Sequence, residues 1–196
     1  MSTTRLEAFS DGVIAILITI MVLELRPPEI LSWHGEGGQA GVANVTKTLL
    51  FYAMSFIFLG IYWSNHHHMF HVVQRVNGAV LWANLHLLFW LSLVPFFTAW
   101  MGDHHEAIPT ALYGVNLLAC AIAFSILQWT INRCEGPQSK LARAVGTATK
   151  EKVSVALYTA ALPLSFVNPW IADALYFAVA CIWLSPDRRV EKLTAE

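Results

Sequence analysis

The chain has 196 residues, of which 56% are hydrophobic and only 13% charged, and its mean hydropathy is +0.53. A soluble domain carries about 25% charged residues, so an ordinary cytosolic enzyme and a disordered chain are both excluded. The net charge of −1 leaves no basic footprint for nucleic acid, and Cys120, Cys134 and Cys181 form neither a C-x-x-C pair nor a disulfide framework.

Charges are segregated along the chain. Residues 6–25 hold only Glu7, Asp11 and Glu24, and the stretches 48–65, 77–102, 107–132 and 153–172 hold none. A bilayer core takes about 20 apolar residues per helix. The pattern predicts an all-α protein, a six-helix transmembrane bundle forming one domain over 1–196. The spans fall at 6–25, 48–69, 78–101, 108–131, 153–167 and 169–185. The first carries Asp11 and has no small-x-small cleavage site after it, so it reads as a retained helix rather than a signal peptide. The segment 27–47 reads as a Gly-rich outer loop, and 102–107 as a second loop on that side. Pro95 and Pro163 fall inside spans three and five, where kinks are tolerated. Spans five and six are short and meet at Asn168-Pro169, which reads as a turn and helix start. The alternative is one broken or re-entrant pair.

Lys and Arg set the orientation. With six spans, one side collects Arg5, Arg75, Arg133, Lys140, Arg143, Lys150, Lys152, Arg188, Arg189 and Lys192, against Arg26 and Lys47 on the other. Both termini are therefore expected in the cytoplasm. No internal repeat of the transporter kind is visible. Trp33, Trp100, Trp129, Trp170 and Trp183 fall near predicted interfaces, as an aromatic belt does.

Ionisable and polar groups inside spans mark function or buried pairing. At about 100° per residue, Phe9, Gly12, Ile16, Thr19 and Leu23 share one stripe of the first helix, and Asp11 lies about 140° from Ile16. Asp11 thus needs a partner inside the bundle, or caps the helix at the interface with Ser10. His66, His67, His68 and His71 cluster at the cytoplasmic end of span two, with His67 and His71 four residues apart. Imidazole suits zinc, copper or haem iron, but no cysteine or carboxylate lies near them in sequence. Hydrogen bonding, with one or two histidines on Asp11, is the preferred reading, and no metal or other cofactor is expected. Asn84, His86 and Asn116 read as groups that tie helices together. Asp173 reads as the end of span six or as the partner of a histidine such as His86.

Arg5-x-x-x-Phe9-Ser10-Asp11, followed by Gly12-Val13-Ile14-Ala15-Ile16 and Thr19, resembles the opening of the transmembrane protein 175 family of potassium channels. Tyr62-Trp63-Ser64-Asn65-His66-His67 resembles that family's W-x-N-H-H segment. Asn84-Leu85 and Leu91-Ser92-Leu93-Val94-Pro95-Phe96 resemble its third helix, and Asn168-Pro169 its link between helices five and six. The family includes two-repeat animal proteins and six-span prokaryotic ones, and one repeat matches the latter. The resemblance implies a homotetramer with helix one lining a central pore, Ile16, Thr19 and Leu23 facing it, and an apolar constriction in place of the absent T-V-G-Y-G filter. It implies that Arg5, Phe9, Ser10 and Asp11 hold helix one against its neighbours, with Trp63, His66, His67 and Asn84 as partners. The permeant ion is then potassium among monovalent cations, and the partners are further copies of the chain and the lipid bilayer of a prokaryotic plasma membrane. The competing classes are a proton-coupled transporter or proton pathway through Asp11 and His66 to His68, and a redox protein using the histidines as ligands.

Overall fold

A computed structural model describes residues 2–25, 36–136 and 149–184. Arg26, Trp33, Lys140, Arg143, Arg188, Arg189 and Lys192 lie outside the described residues. Every described element is helical. Helix α1 spans Thr3–Ile20 and runs on as a 3-10 turn, Met21–Glu24. Then follow α2 (Glu36–His71), α3 (Gly78–Ser92), α4 (Val94–Asp103), α5 (Ala107–Glu135), α6 (Thr149–Ser165) and α7 (Pro169–Leu184).

The segments Thr3–Leu23, Asn44–His71, Gly78–Asp103 and Ala107–Glu135 are each long and apolar enough to cross a bilayer. Helices α6 and α7 have 17 and 16 described residues. At 1.5 Å per residue they reach about 25 Å, somewhat less than a hydrocarbon core of about 30 Å. They are two antiparallel helices: a tight turn closes with Val167 N–H and Asn168 N–H on the Leu164 carbonyl. At their far ends the Trp183 indole N–H donates to Ser154 Oγ at 2.8 Å. The Asn168 side chain accepts from Trp170 N–H at 3.0 Å, and Pro169, which has no N–H to leave orphaned, opens α7.

Two expectations are corrected. Helix α2 begins at Glu36, well before the apolar run at 48. Apolarity marks where a helix enters lipid, whereas backbone hydrogen bonding carries the helix on beyond it. Span three is not one helix. Pro95 lies in the first turn of α4, and its ring and missing N–H end the ladder of α3 at Ser92. The Leu93 N–H turns to the Trp90 carbonyl, and Phe97 N–H restarts the series on Leu93.

Two apolar cores hold the bundle. The first joins Leu6, Ile14, Leu17 and Met21 of α1 to residues of α2, α3 and α5, among them Leu59, Phe70, Leu87 and Leu127. The second joins Phe58, Met101, Leu117, Tyr158 and Tyr176 from α2, α4, α5, α6 and α7. Helix α1 is thus peripheral, packed on α2 and α3 by one stripe. Chain direction alternates: the Gln74 and Arg75 N–H groups reach the Glu135 carboxylate at the end where α1 begins, while Thr48 meets the Gly102 carbonyl at the other.

Candidate functional site

The polar residues of α1 meet α2 and α3 at the end of the bundle where the chain starts. Ser10 is fully buried, and so are Asn84 of α3 and His66 of α2. His66 Nε2 lies 2.8 Å from Asn84 Oδ1, the Asn84 amide donates to Ser10 Oγ at 2.9 Å, and the Ser10 hydroxyl donates to the Leu6 carbonyl at 2.9 Å. With the Asn84 amide nitrogen turned to Ser10, its carbonyl oxygen faces His66 and can only accept, so His66 carries its proton on Nε2. His66 Nδ1 is then a bare acceptor, buried without a partner among the described residues, on a ring stacked 4.5 Å from Phe70. This chain of bonds ties three helices at one level.

Next to it, the Trp63 indole N–H donates to Asp11 Oδ1 at 3.1 Å. Glu7, one turn before Asp11, places a carboxylate oxygen 3.1 Å from His67 Nδ1. Asp11 therefore has a partner within the bundle, and that partner is Trp63 rather than a histidine. The structure brings together Ser10, Asp11, Trp63, His66, His67 and Asn84. It adds Glu7, which shares the face of Asp11 through its i, i+4 spacing, a signal present in the sequence.

Arg5 and Phe9 do not join them. Both are exposed, Phe9 at 48%, and Arg5 makes no side-chain bond among the described residues. Within one chain they do not hold α1 against its neighbours, because they stand on its other face. That face also carries Gly12, Ile16, Thr19 and Leu23, all exposed, Ile16 at 57% and Leu23 at 75%. Thr19 gives its hydroxyl hydrogen to the Ala15 and Ile16 carbonyls, both at 3.0 Å. Its oxygen keeps both lone pairs free of any donor among the described residues, and the residue is exposed.

Other expectations change as well. The carboxylates missing beside the histidines in sequence are present in space, since Glu7 and Asp11 lie against His67. Asp173 pairs with His105 at 2.7 Å, both side chains largely buried, and the His105 ring packs against Trp170 and Phe51. His86 is exposed and its Nε2 accepts from the Trp90 indole instead. Asn116 is buried with neither side-chain atom hydrogen-bonded, so it ties no helix among the described residues. A buried Thr98–Ser55–Tyr113 chain, with contacts of 2.7 and 2.8 Å, ties α4, α2 and α5. No sequence signal marks it, because Ser and Thr are common in apolar helices.

Apolar helices of spanning length around buried polar networks define an α-helical integral membrane protein. Comparison with known proteins narrows the class. The family described as the endosomal/lysosomal potassium channel TMEM175 matches residues 5–95. A potassium channel of Chryseobacterium sp. is 52% identical over 197 residues, with 100% of both chains covered. A potassium channel of Chamaesiphon minutus is 31% identical over 186 residues, covering 91% of each. The crystal structure of a lysosomal potassium-selective channel TMEM175 homologue from Chamaesiphon minutus aligns with a TM-score of 0.82 at 29% identity, over 94% of this chain and 97% of that one. The chain belongs to the TMEM175 family.

Proposed function

We propose that the chain is a potassium-preferring cation channel, a homotetramer whose α1 helices line a central pore, rather than an enzyme. The observation that carries this reading is the outward face of α1. Leu6, Ser10, Ile14 and Leu17 are buried in the bundle, whereas Phe9, Gly12, Ile16, Thr19 and Leu23 stand bare on the opposite side. Family membership supports a channel, and the described residues of a single chain enclose no polar conduit. The cleft between α2, α5, α6 and α7 is walled chiefly by Phe58, Tyr62, Phe124, Tyr158 and Trp183. A conducting path then runs between chains, and closed cyclic symmetry is the ordinary way to enclose one.

Four copies of α1 about an axis set rings of Ile16 and Leu23 one above the other, with Thr19 between them. An apolar ring narrows the path and gates by dewetting. It also makes an ion shed water, which favours potassium, the less tightly hydrated ion, over sodium. Thr19 suits the next step. With its hydrogen held by the backbone carbonyls, the hydroxyl presents only lone pairs and replaces part of the lost hydration. The Ser10–Asn84–His66 chain fixes the rotation of α1 and hence which stripe faces the axis.

The membrane is a prokaryotic plasma membrane with both termini cytoplasmic. Supporting this, Arg5, Arg75, Arg133, Lys150 and Lys152 lie toward one end of the bundle and Lys47 toward the other. The test is a reversal potential across planar bilayers, with potassium on one side and sodium on the other. Reversal toward the potassium equilibrium potential is expected. Saturable, proton-coupled uptake without current would refute the channel and move attention to Asp11 and His66.

A further inference from the structure

Glu7, Asp11 and His67 each offer a ligand atom, and these atoms all lie within 4.8 Å of one another. We propose that they form a binding site for a first-row divalent cation of the zinc type, clamping α1 to α2. Glu7 and Asp11 stand one turn apart on α1, and His67 reaches them from α2, so the ligands come from two helices that pack together.

The spacing is that of a nearly assembled site. A tetrahedral zinc with bonds of about 2.1 Å holds its ligand atoms about 3.4 Å apart. Glu7 Oε1 and His67 Nδ1 are already 3.1 Å apart. The His67 side chain is 44% exposed, but its Nδ1 atom is shielded, and among the described residues no hydrogen bond of acceptable angle satisfies it, the Glu7 contact included. It is therefore a nitrogen set beside a carboxylate oxygen without a hydrogen bond between them, at a separation that one cation can bridge.

Asp11 contributes the third atom. One of its oxygens accepts from the Trp63 indole at 3.1 Å, which fixes the carboxylate plane as outer-shell donors do in metal sites. Two carboxylates balance a double positive charge, and a fourth position stays open to water. The imidazole selects the metal class. Magnesium and calcium take all-oxygen shells, whereas zinc, nickel and copper accept nitrogen readily.

The test titrates the purified full chain in lipid nanodiscs with Co2+, whose visible absorption reports tetrahedral coordination, and then displaces it with Zn2+. One equivalent per chain is expected. Glu7→Gln and His67→Gln should each weaken binding by about tenfold or more, while His71→Gln leaves it unchanged. Glu7→His, which restores a ligand, should recover binding with a shifted absorption band, so that a loss through misfolding is told apart from loss of a ligand. The proposal is overturned if wild type gives no tetrahedral Co2+ spectrum. It is equally overturned if binding survives Glu7→Gln but not His71→Gln, which would assign the metal to the His67–His71 pair on the surface of α2. The readout is binding, so the result stands apart from whether the chain conducts.

Discussion

Replacing Asn84 by leucine isolates the polar tie that orients α1. Leucine keeps the branching and heavy-atom count of asparagine though its methyls are bulkier, so no cavity opens and the lost polar contacts dominate. Two bonds are lost, Asn84 to Ser10 at 2.9 Å and His66 to Asn84 at 2.8 Å. Interhelical hydrogen bonds in membranes contribute about 0.6 kcal/mol each, so their direct loss is about 1.2 kcal/mol. The larger effect is the donor left behind: His66 Nε2–H is fully buried and would have no partner, at about 1–3 kcal/mol. The expected total is about 2–4 kcal/mol. Ser10→Ala should cost about 1 kcal/mol, since Asn84 loses one acceptor while His66 keeps its own. Combined, the two changes should cost little more than Asn84→Leu alone, because both remove the same Ser10–Asn84 bond. Unfolding in mixed micelles with increasing dodecyl sulfate, followed by helical circular dichroism, measures all three. An Asn84→Leu protein within about 0.5 kcal/mol of wild type would refute the reasoning, as would additivity of the two changes.

Three other outcomes follow from the packing and the pore. A Cβ on Gly114 would run into the Tyr176 hydroxyl oxygen and lie 2.7 Å from Tyr176 Cζ and 3.1 Å from Leu162, so Gly114→Ala should destabilise by about 1–3 kcal/mol in the same unfolding assay. Tyr176→Phe should restore part of this by removing the nearer of the two clashing atoms, less the loss of its bond to the Thr110 carbonyl; no restoration would leave the strain on the ring carbon or on Leu162. His105→Ala deprives the buried Asp173 carboxylate of its 2.7 Å partner and should cost about 3–5 kcal/mol, whereas Asp173→Asn, which keeps an acceptor for His105, should cost under half as much. Ile16→Asn should raise potassium flux into liposomes and lower potassium over sodium discrimination; wild-type flux and selectivity would locate the constriction at another level.

Much of the fold was legible because the bilayer imposes one rule, a run of apolar residues for each crossing. The rule is silent about what lies beyond the apolar run, and α2 therefore begins at Glu36 unannounced. Proline chemistry was legible in kind: Pro95 marked a weak point in span three, but whether it kinks or splits the helix depends on the bonds that Leu93 and Phe97 find locally. Pairings between distant residues were the hardest to read. Asp173 had several histidines within reach of imagination, and only the packing of the 104–106 turn against α7 selects His105. Asn84, His66 and Ser10 were legible as a set through family resemblance, while their donor order is a property of the three-dimensional arrangement.

Arg5 and Phe9 show the opposite limit. The resemblance implied that they hold α1 in place, yet within one chain nothing described engages Arg5, and Phe9 stands half exposed. An aromatic ring left bare beside Gly12 and Ile16 loses nothing by meeting lipid, but a guanidinium at the start of the same helix has five donors to satisfy. Both residues lie on the stripe, or at its edge, that one chain leaves unused, while Glu7, Ser10 and Asp11 on the other side are engaged within it. The division of the signature between two faces is what a helix requires if its orientation is set by its own chain and its function by the next.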